Sequence, residues 1–414
     1  MRSIKLKNIL VLTYWSYRDA LIQTYTLPYV RLIKRQLPAN SRIYLVTLEQ
    51  AQLRLSEEEA RRVREELSGE GIHLVPFSYS RFGLAAIIKW IFFLARLLWL
   101  CLQKRITHIH AWCTPAGGAG YVLSLLTGIP LVIDCYEPHA ESMVENGTWR
   151  QESAAFKILL LLEKLQSRRA KAVIATTQGM MRYARERYNA TLREFYVKPA
   201  CVDLQLFSPV METKDAALLK QYELTNKLVC VYAGKLGGIY LEGEIFDFFK
   251  AASDYWGDRF RVLLLTNSSE AKIKELARAS RLDPGIIVTK FVEHADVPKH
   301  LALGDFALNP VKPVSTKRFC TSIKDGEYWA MGLPVVIPPN ISDDSDIIKE
   351  QRIGAIIEEF NPEAYLKAIK EIDLILQSCS RRELIERVRA VAIKYRNFAD
   401  AEEIYRKIYG ASVN

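Results

Sequence analysis

The stretch CTSIKDGEYWAMGLPVVIPP, residues 320 to 339, sets Lys324 and Glu327 three residues apart and then halts at Gly332–Leu333–Pro334 before an apolar run. On a helix that spacing puts the ammonium and the carboxylate on one face. Two chemistries fit. One is a surface ion pair worth roughly a few tenths of a kcal/mol. The other is a clasp for a nucleoside diphosphate. An ionised carboxylate accepts hydrogen bonds from two adjacent ribose hydroxyls, while Lys324 faces phosphate or sugar oxygens.

A second group supplies what such a clasp needs. In VCVYAGKLGGIYLEGEIFDFFK, residues 229 to 250, a buried strand runs into glycines and then an amphipathic helix. Glycine lets backbone N–H groups approach a ligand closely, and a helix start offers unpaired donors. Lys235 adds a full charge, so Gly234, Lys235, Gly237, Gly238 and Tyr240 are candidate contacts for a diphosphate, with Ser322 beside Lys324. The Walker spacing is absent, and a tight turn without a ligand would also want glycines.

These residues need a scaffold. Short apolar strands alternate with helical stretches along the whole chain, which predicts βαβ units and parallel sheets. At 414 residues, half of them hydrophobic, the chain has more than one core. The fold class expected is α/β, with two Rossmann-like doubly wound parallel-sheet domains facing a central cleft. Open sheets of this kind bind ligands at the carboxyl ends of their strands. Composition shifts place the first domain at 1–200, a linker at 201–212 and the second domain at 213–384. A charged helical stretch, 385–414, is placed to cross back to the first domain.

The formal charge of +10 calls for an anionic partner, but no Lys/Arg-rich block stands out, which argues against nucleic acid. Seven scattered cysteines, without a CxxC pair or a His cluster at ligand spacing, predict reduced thiols and no metal site. The amino-terminal MRSIKLKNILVLTYW reads as a first buried strand, since its apolar run is short and no small-residue cleavage site follows. Residues 84–103, LAAIIKWIFFLARLLWLCLQ, form a greasy rod on which Lys89, Arg96 and Gln103 make one narrow polar stripe. Docking in an anionic membrane interface, with Trp90, Phe92, Phe93 and Trp99 sunk, and burial as a core helix are both open; a true span would bury two cations.

In the first half, IDCYEPHAESMVENGTWR follows a strand and carries Asp134, Glu137, His139, Glu141 and Glu145. Titratable side chains such as His139 and Glu141 at a strand's carboxyl end suit acid–base work; a solvated loop with helix-capping carboxylates is the alternative. Arg18 and Asp19 follow the first strand on the same side, while His108 and His110 read as buried structural histidines.

At this point the motifs carry a family likeness. GEYWAMGLPVV resembles the donor-binding signature of family-4 retaining glycosyltransferases of the GT-B fold, VYAGKLGG their phosphate loop, and VKPACVDLQLFSP their interdomain linker. VPKHLALGDFALNP is similar to the stretch before their glutamate helix, and the likeness runs over roughly residues 170 to 360. LGGIYL, TSIKDGEYWA and ISDDSDII further resemble a bacterial branch linked to cell-surface polysaccharide synthesis. The resemblance implies an amino-terminal acceptor domain and a carboxyl-terminal donor domain. It implies metal-independent, cofactor-free hexosyl transfer from a nucleotide sugar to a glycan or lipid-linked acceptor, with retention. Lys235, Glu327, His139 and Glu141 would be catalytic, in a cytoplasmic enzyme peripheral to the membrane. Two departures stand out. The family's first glutamate, eight residues before Glu327, is replaced by Phe319, and a usual second base after the phosphate loop is replaced by Leu241, followed by Glu242. A nucleotide-sugar 2-epimerase of the same fold and a silent nucleotide-sugar-binding scaffold are the rival expectations.

Overall fold

The computed structural model describes residues 6–79, 84–209 and 214–410, with the backbone only for 84–87. Parts of four expectations lie outside the described residues: 1–5 of the first-strand segment, the side chains of 84–87 in the greasy rod, 210–212 of the linker, and 411–414. The chain forms two compact units. One runs up to Lys198 and resumes at Ala399; the other is Pro199–Phe398.

The first unit is a seven-stranded sheet of β1 (Asn8–Leu12), β2 (Ile43–Glu49), β3 (Ile72–Ser78), β4 (Ile106–Trp112), β5 (Leu131–Tyr136), β6 (Ala172–Ala175) and β7 (Glu194–Val197), in the order β3-β2-β1-β4-β5-β6-β7. The second has six: β8 (Leu228–Ala233), β9 (Phe260–Leu265), β10 (Ile287–Lys290), β11 (Phe306–Leu308), β12 (Val335–Ile337) and β13 (Gly354–Ile356), in the order β10-β9-β8-β11-β12-β13. All strand pairs within both sheets are parallel. Central strands such as Ile9–Leu12 and Val229–Tyr232 are buried throughout, because helices cover both faces of a parallel sheet. The strand order reverses between β1 and β4 and again between β8 and β11. Crevices open at such switch points.

The charged carboxyl-terminal stretch is not one helix. Arg381–Tyr395 packs in the second unit, starting from a Ser380–Glu383 capping box, while the helix Phe398–Tyr409 belongs from Ala399 onward to the first. There Tyr405 Oη donates to Asp134 Oδ2 (2.6 Å), the Tyr409 hydroxyl lies 2.7 Å from His110 Nδ1, and Lys7 Nζ donates to the Tyr409 carbonyl (2.7 Å). Asp134 is fully buried. Burial alone would push its carboxyl up, but Lys198 at 3.2 Å, with His110 and Tyr405, holds it at about 2. The Lys198 ammonium also lies 3.6 Å from the centre of the Tyr29 ring. His110 is thus structural. His108 packs edge-on against Tyr409, and burial with nearby Lys7 and Lys171 lowers its ring to about 4.

The greasy rod is a single helix, Leu84–Gln103. Leu97, Leu100 and Cys101 face the core, and Phe93 turns inward against Phe77 rather than outward with the other aromatics. Arg96 lies over the same Phe77 ring. Trp90, Phe92 and Trp99 remain exposed, Phe92 by 67%. Among the described residues no helix is long and apolar enough to cross a membrane.

Candidate active site

The Lys324–Glu327 pair sits on the helix Ile323–Ala330, which follows β11. Its end is set by Gly332, at φ +74°, where the Gly332 and Leu333 amides return to the Trp329 and Tyr328 carbonyls. That double closure is a Schellman motif, and any Cβ at Gly332 would strike the Ile385 backbone at 2.8 Å. The helix start is tied to β11 by buried Asn309, whose Nδ2 donates to Ser322 Oγ and Asp325 Oδ1, both at 2.8 Å. Ser322 therefore does not cap the helix, and the first-turn amides carry no side-chain cap.

The loop after β8 meets this helix. Tyr328 Oη accepts the Ala233 amide at 2.9 Å, and Lys324 Nζ donates to Tyr240 Oη at 2.8 Å while lying 4.5 Å from that ring's centre. Gly234 is required by this approach, since a Cβ there would come within 2.6 Å of Lys324 Cε. Gly237 and Gly238 both hold positive φ, +75° and +66°. The loops after β8 and β11 are then zipped by Leu241 N–H to the Pro310 carbonyl (2.8 Å) and Lys312 N–H to the Ile239 carbonyl (3.0 Å). Gly234, Tyr240, Ser322, Lys324 and Glu327 thus converge on the β8/β11 switch point.

Lys235 has an exposed side chain on the same loop, and its carbonyl accepts from Tyr232 Oη. Leu241, standing where a second base is usual, is buried in the core, and Glu242 is ion-paired with Lys272 from the helix after β9. Phe319 ends a short turn, Ser315–Phe319, half-buried.

Glu327 is 9% exposed, and its Oε1 lies 3.2 Å from His294 Nε2. His294 opens the turn after β10 and makes an edge contact with the Phe207 ring at 5.6 Å. The ring's hydrogen bond to Glu327 raises its pKa despite partial burial. Sequence reasoning missed His294; its only signal is a histidine just past a strand's carboxyl end. It also missed the buried cluster behind the helix. Arg396 there bonds Asp344, Thr321 Oγ1 and the Ala200 carbonyl. Burial and Asp344 drive the Asp325 carboxyl well up.

The other candidates lie in the first unit. His139 starts a short helix after β5, with Nδ1 3.7 Å from Glu137; Glu141 accepts from Arg187 at 2.8 Å. Arg18 bonds Glu59, and Asp19 caps the Leu21 amide at 2.9 Å. These four are engaged in local pairs.

Two doubly wound parallel-sheet units with a glycine loop and a Lys–Glu helix at a switch point are the GT-B class. Residues 28–197 match the model of a glycosyl transferase 4-like domain, and residues 228–372 that of glycosyl transferases group 1. The chain belongs to the family-4-like glycosyltransferases of the GT-B fold. None of the curated proteins matches it. Its fold is similar to that of sucrose-phosphate synthase from Thermosynechococcus elongatus (14% identity, TM-score 0.70, covering 97% of this chain and 99% of that one). It is also similar to Anabaena Alr3699/HepE, solved with UDP and glucose (16%, 0.69, 97% and 99%). WaaG, a glycosyltransferase involved in lipopolysaccharide biosynthesis, is a third (13%, 0.68, 98% and 100%).

Proposed function

We propose that this glycosyltransferase moves a hexose, with retention, from a nucleoside diphosphate sugar to a hydroxyl of a glycan or lipid-linked acceptor in envelope polysaccharide or lipopolysaccharide assembly. The observation that carries the reading is the convergence of the glycine loop, Lys324 and Glu327 on one switch point. Glu327 holds the ribose. Lys235, Lys324, the amides around Gly237–Gly238 and the uncapped helix start stabilise the departing diphosphate, each fixed donor contributing roughly 3–4 kcal/mol. A departing phosphate oxygen takes the acceptor's proton, so lysine charge suffices and neither a metal nor another cofactor is called for. His139 and Glu141 orient the acceptor. The complexes of the Anabaena protein with UDP and glucose support the donor class.

A thermal-shift panel of nucleoside diphosphates tests the donor. Stabilisation by one base is the expected result. Incubation of that nucleotide's sugars, with and without candidate acceptors, then follows. Epimer formed without an acceptor would overturn transfer.

We also propose attachment to the cytoplasmic face of an anionic membrane. Exposed Trp90, Phe92 and Trp99 support it, as does exposed Leu126 on the adjoining helix Thr114–Thr127, with Lys89 exposed on the rod itself. Flotation with anionic liposomes should recover the protein, and the Trp90→Glu/Trp99→Glu variant should stay behind. Equal partitioning of both would refute the surface.

A further inference from the structure

The Glu327 side chain is 12% exposed, on a helix where Asp325, Gly326, Tyr328 and Trp329 are buried as well. A carboxylate so enclosed is oriented by whatever donor reaches it. Lys324, one turn earlier, is turned to Tyr240 instead. Among the described residues the side-chain partner of Glu327 is His294, at 3.2 Å. The histidine comes from a different loop, after β10, and its side chain is 44% exposed, so a ligand at Glu327 meets it as well.

We propose that His294 is a positioning residue. Its protonated ring holds the Glu327 carboxylate by a charge-assisted hydrogen bond, turned toward the pentose hydroxyls, so nucleotide affinity falls as the ring loses its proton. This rests on the reading that Glu327 clasps the pentose.

Glu327 faces the ring from the site helix, the linker presents the Phe207 ring, and Glu293 and Asp296 flank it on its own turn. The ring's pKa lies above the usual 6.5, chiefly through the Glu327 hydrogen bond. The sign follows. The contribution is complete below the ordinary histidine range and is lost as pH rises through the raised value.

Calorimetry with UDP, GDP and ADP on the full chain, from acid to alkaline pH, tests this. The wild type should lose roughly ten-fold in affinity for its preferred nucleotide, the worth of one charge-assisted hydrogen bond. His294→Gln keeps a donor near the Nε2 position without a charge. Its profile should follow only the ligand's own phosphate titration and meet the wild type at alkaline pH. His294→Ala should bind more weakly at every pH. Independently of any ligand, NMR titration of the His294 ring in Glu327→Gln should move its pKa down toward the ordinary value. An unchanged ring pKa in that variant would break the pairing. Superimposable pH profiles for wild type and His294→Gln would refute the affinity role while leaving the Glu327 clasp intact. Absence of binding by all three nucleotides would overturn the clasp and, with it, the proposal.

Discussion

Glu327→Ala should weaken nucleoside diphosphate binding about a hundred-fold or more. On the proposed reading the carboxylate accepts from two pentose hydroxyls, and hydrogen bonds to a charged group contribute about 1.5–3 kcal/mol each. Part of that is recovered by water, so the product of two such losses is an upper bound. Glu327→Gln keeps one acceptor of the same reach and should fall between, at roughly ten-fold. Calorimetry reads the affinity and circular dichroism the fold. An alanine variant that binds as the wild type does would place the carboxylate outside the clasp.

The second large effect concerns stability. Arg396 is 1% exposed and bonds Asp344, itself 2% exposed, with Asp325 fully buried beside them. The guanidinium bonds Asp344, while burial and the neighbouring Asp344 drive the Asp325 carboxyl well up. Arg396→Met should therefore leave Asp344 without its buried partner. Breaking a buried pair from one side costs about 3–5 kcal/mol. For a unit of this size that lowers the melting midpoint by roughly 10 °C, at about 2–4 °C per kcal/mol. Scanning calorimetry should show the loss in the transition of Pro199–Phe398, and Asp344→Asn added to Arg396→Met should recover part of it. No shift in that transition would mean that the cluster is not under charge.

Much of this was legible in the sequence, for a physical reason. Strands buried on both faces, such as NILVL, LVCVYA and VVI, read as unbroken apolar runs, so the two sheets could be counted before they were seen. Gly234 and Gly332 were legible as punctuation, although the first answers to Lys324 and the second to Ile385. What failed to show were features created by distance in the chain. His294 matters through a contact 33 residues away. Asp325 reads as an ordinary polar residue of a helix until Arg396 and Asp344 are brought to it. The break at Arg396–Asn397 carries neither glycine nor proline, so the charge pattern of 381–410 runs through it undisturbed. Phe93 looked like its exposed neighbours because only Phe77 distinguishes its side of the rod.

The Phe398–Tyr409 helix has a consequence for how the protein is made. Asp134, His110 and Lys7 are completed only when Tyr405 and Tyr409 leave the ribosome, some 200 residues after β7 has emerged. The amino-terminal half must then wait, with a buried carboxylate still missing its phenol, while the intervening unit can finish on its own. The unit begun first is the last to be completed, and nascent chains stalled before Tyr405 should remain prey to proteases in the part that was born first.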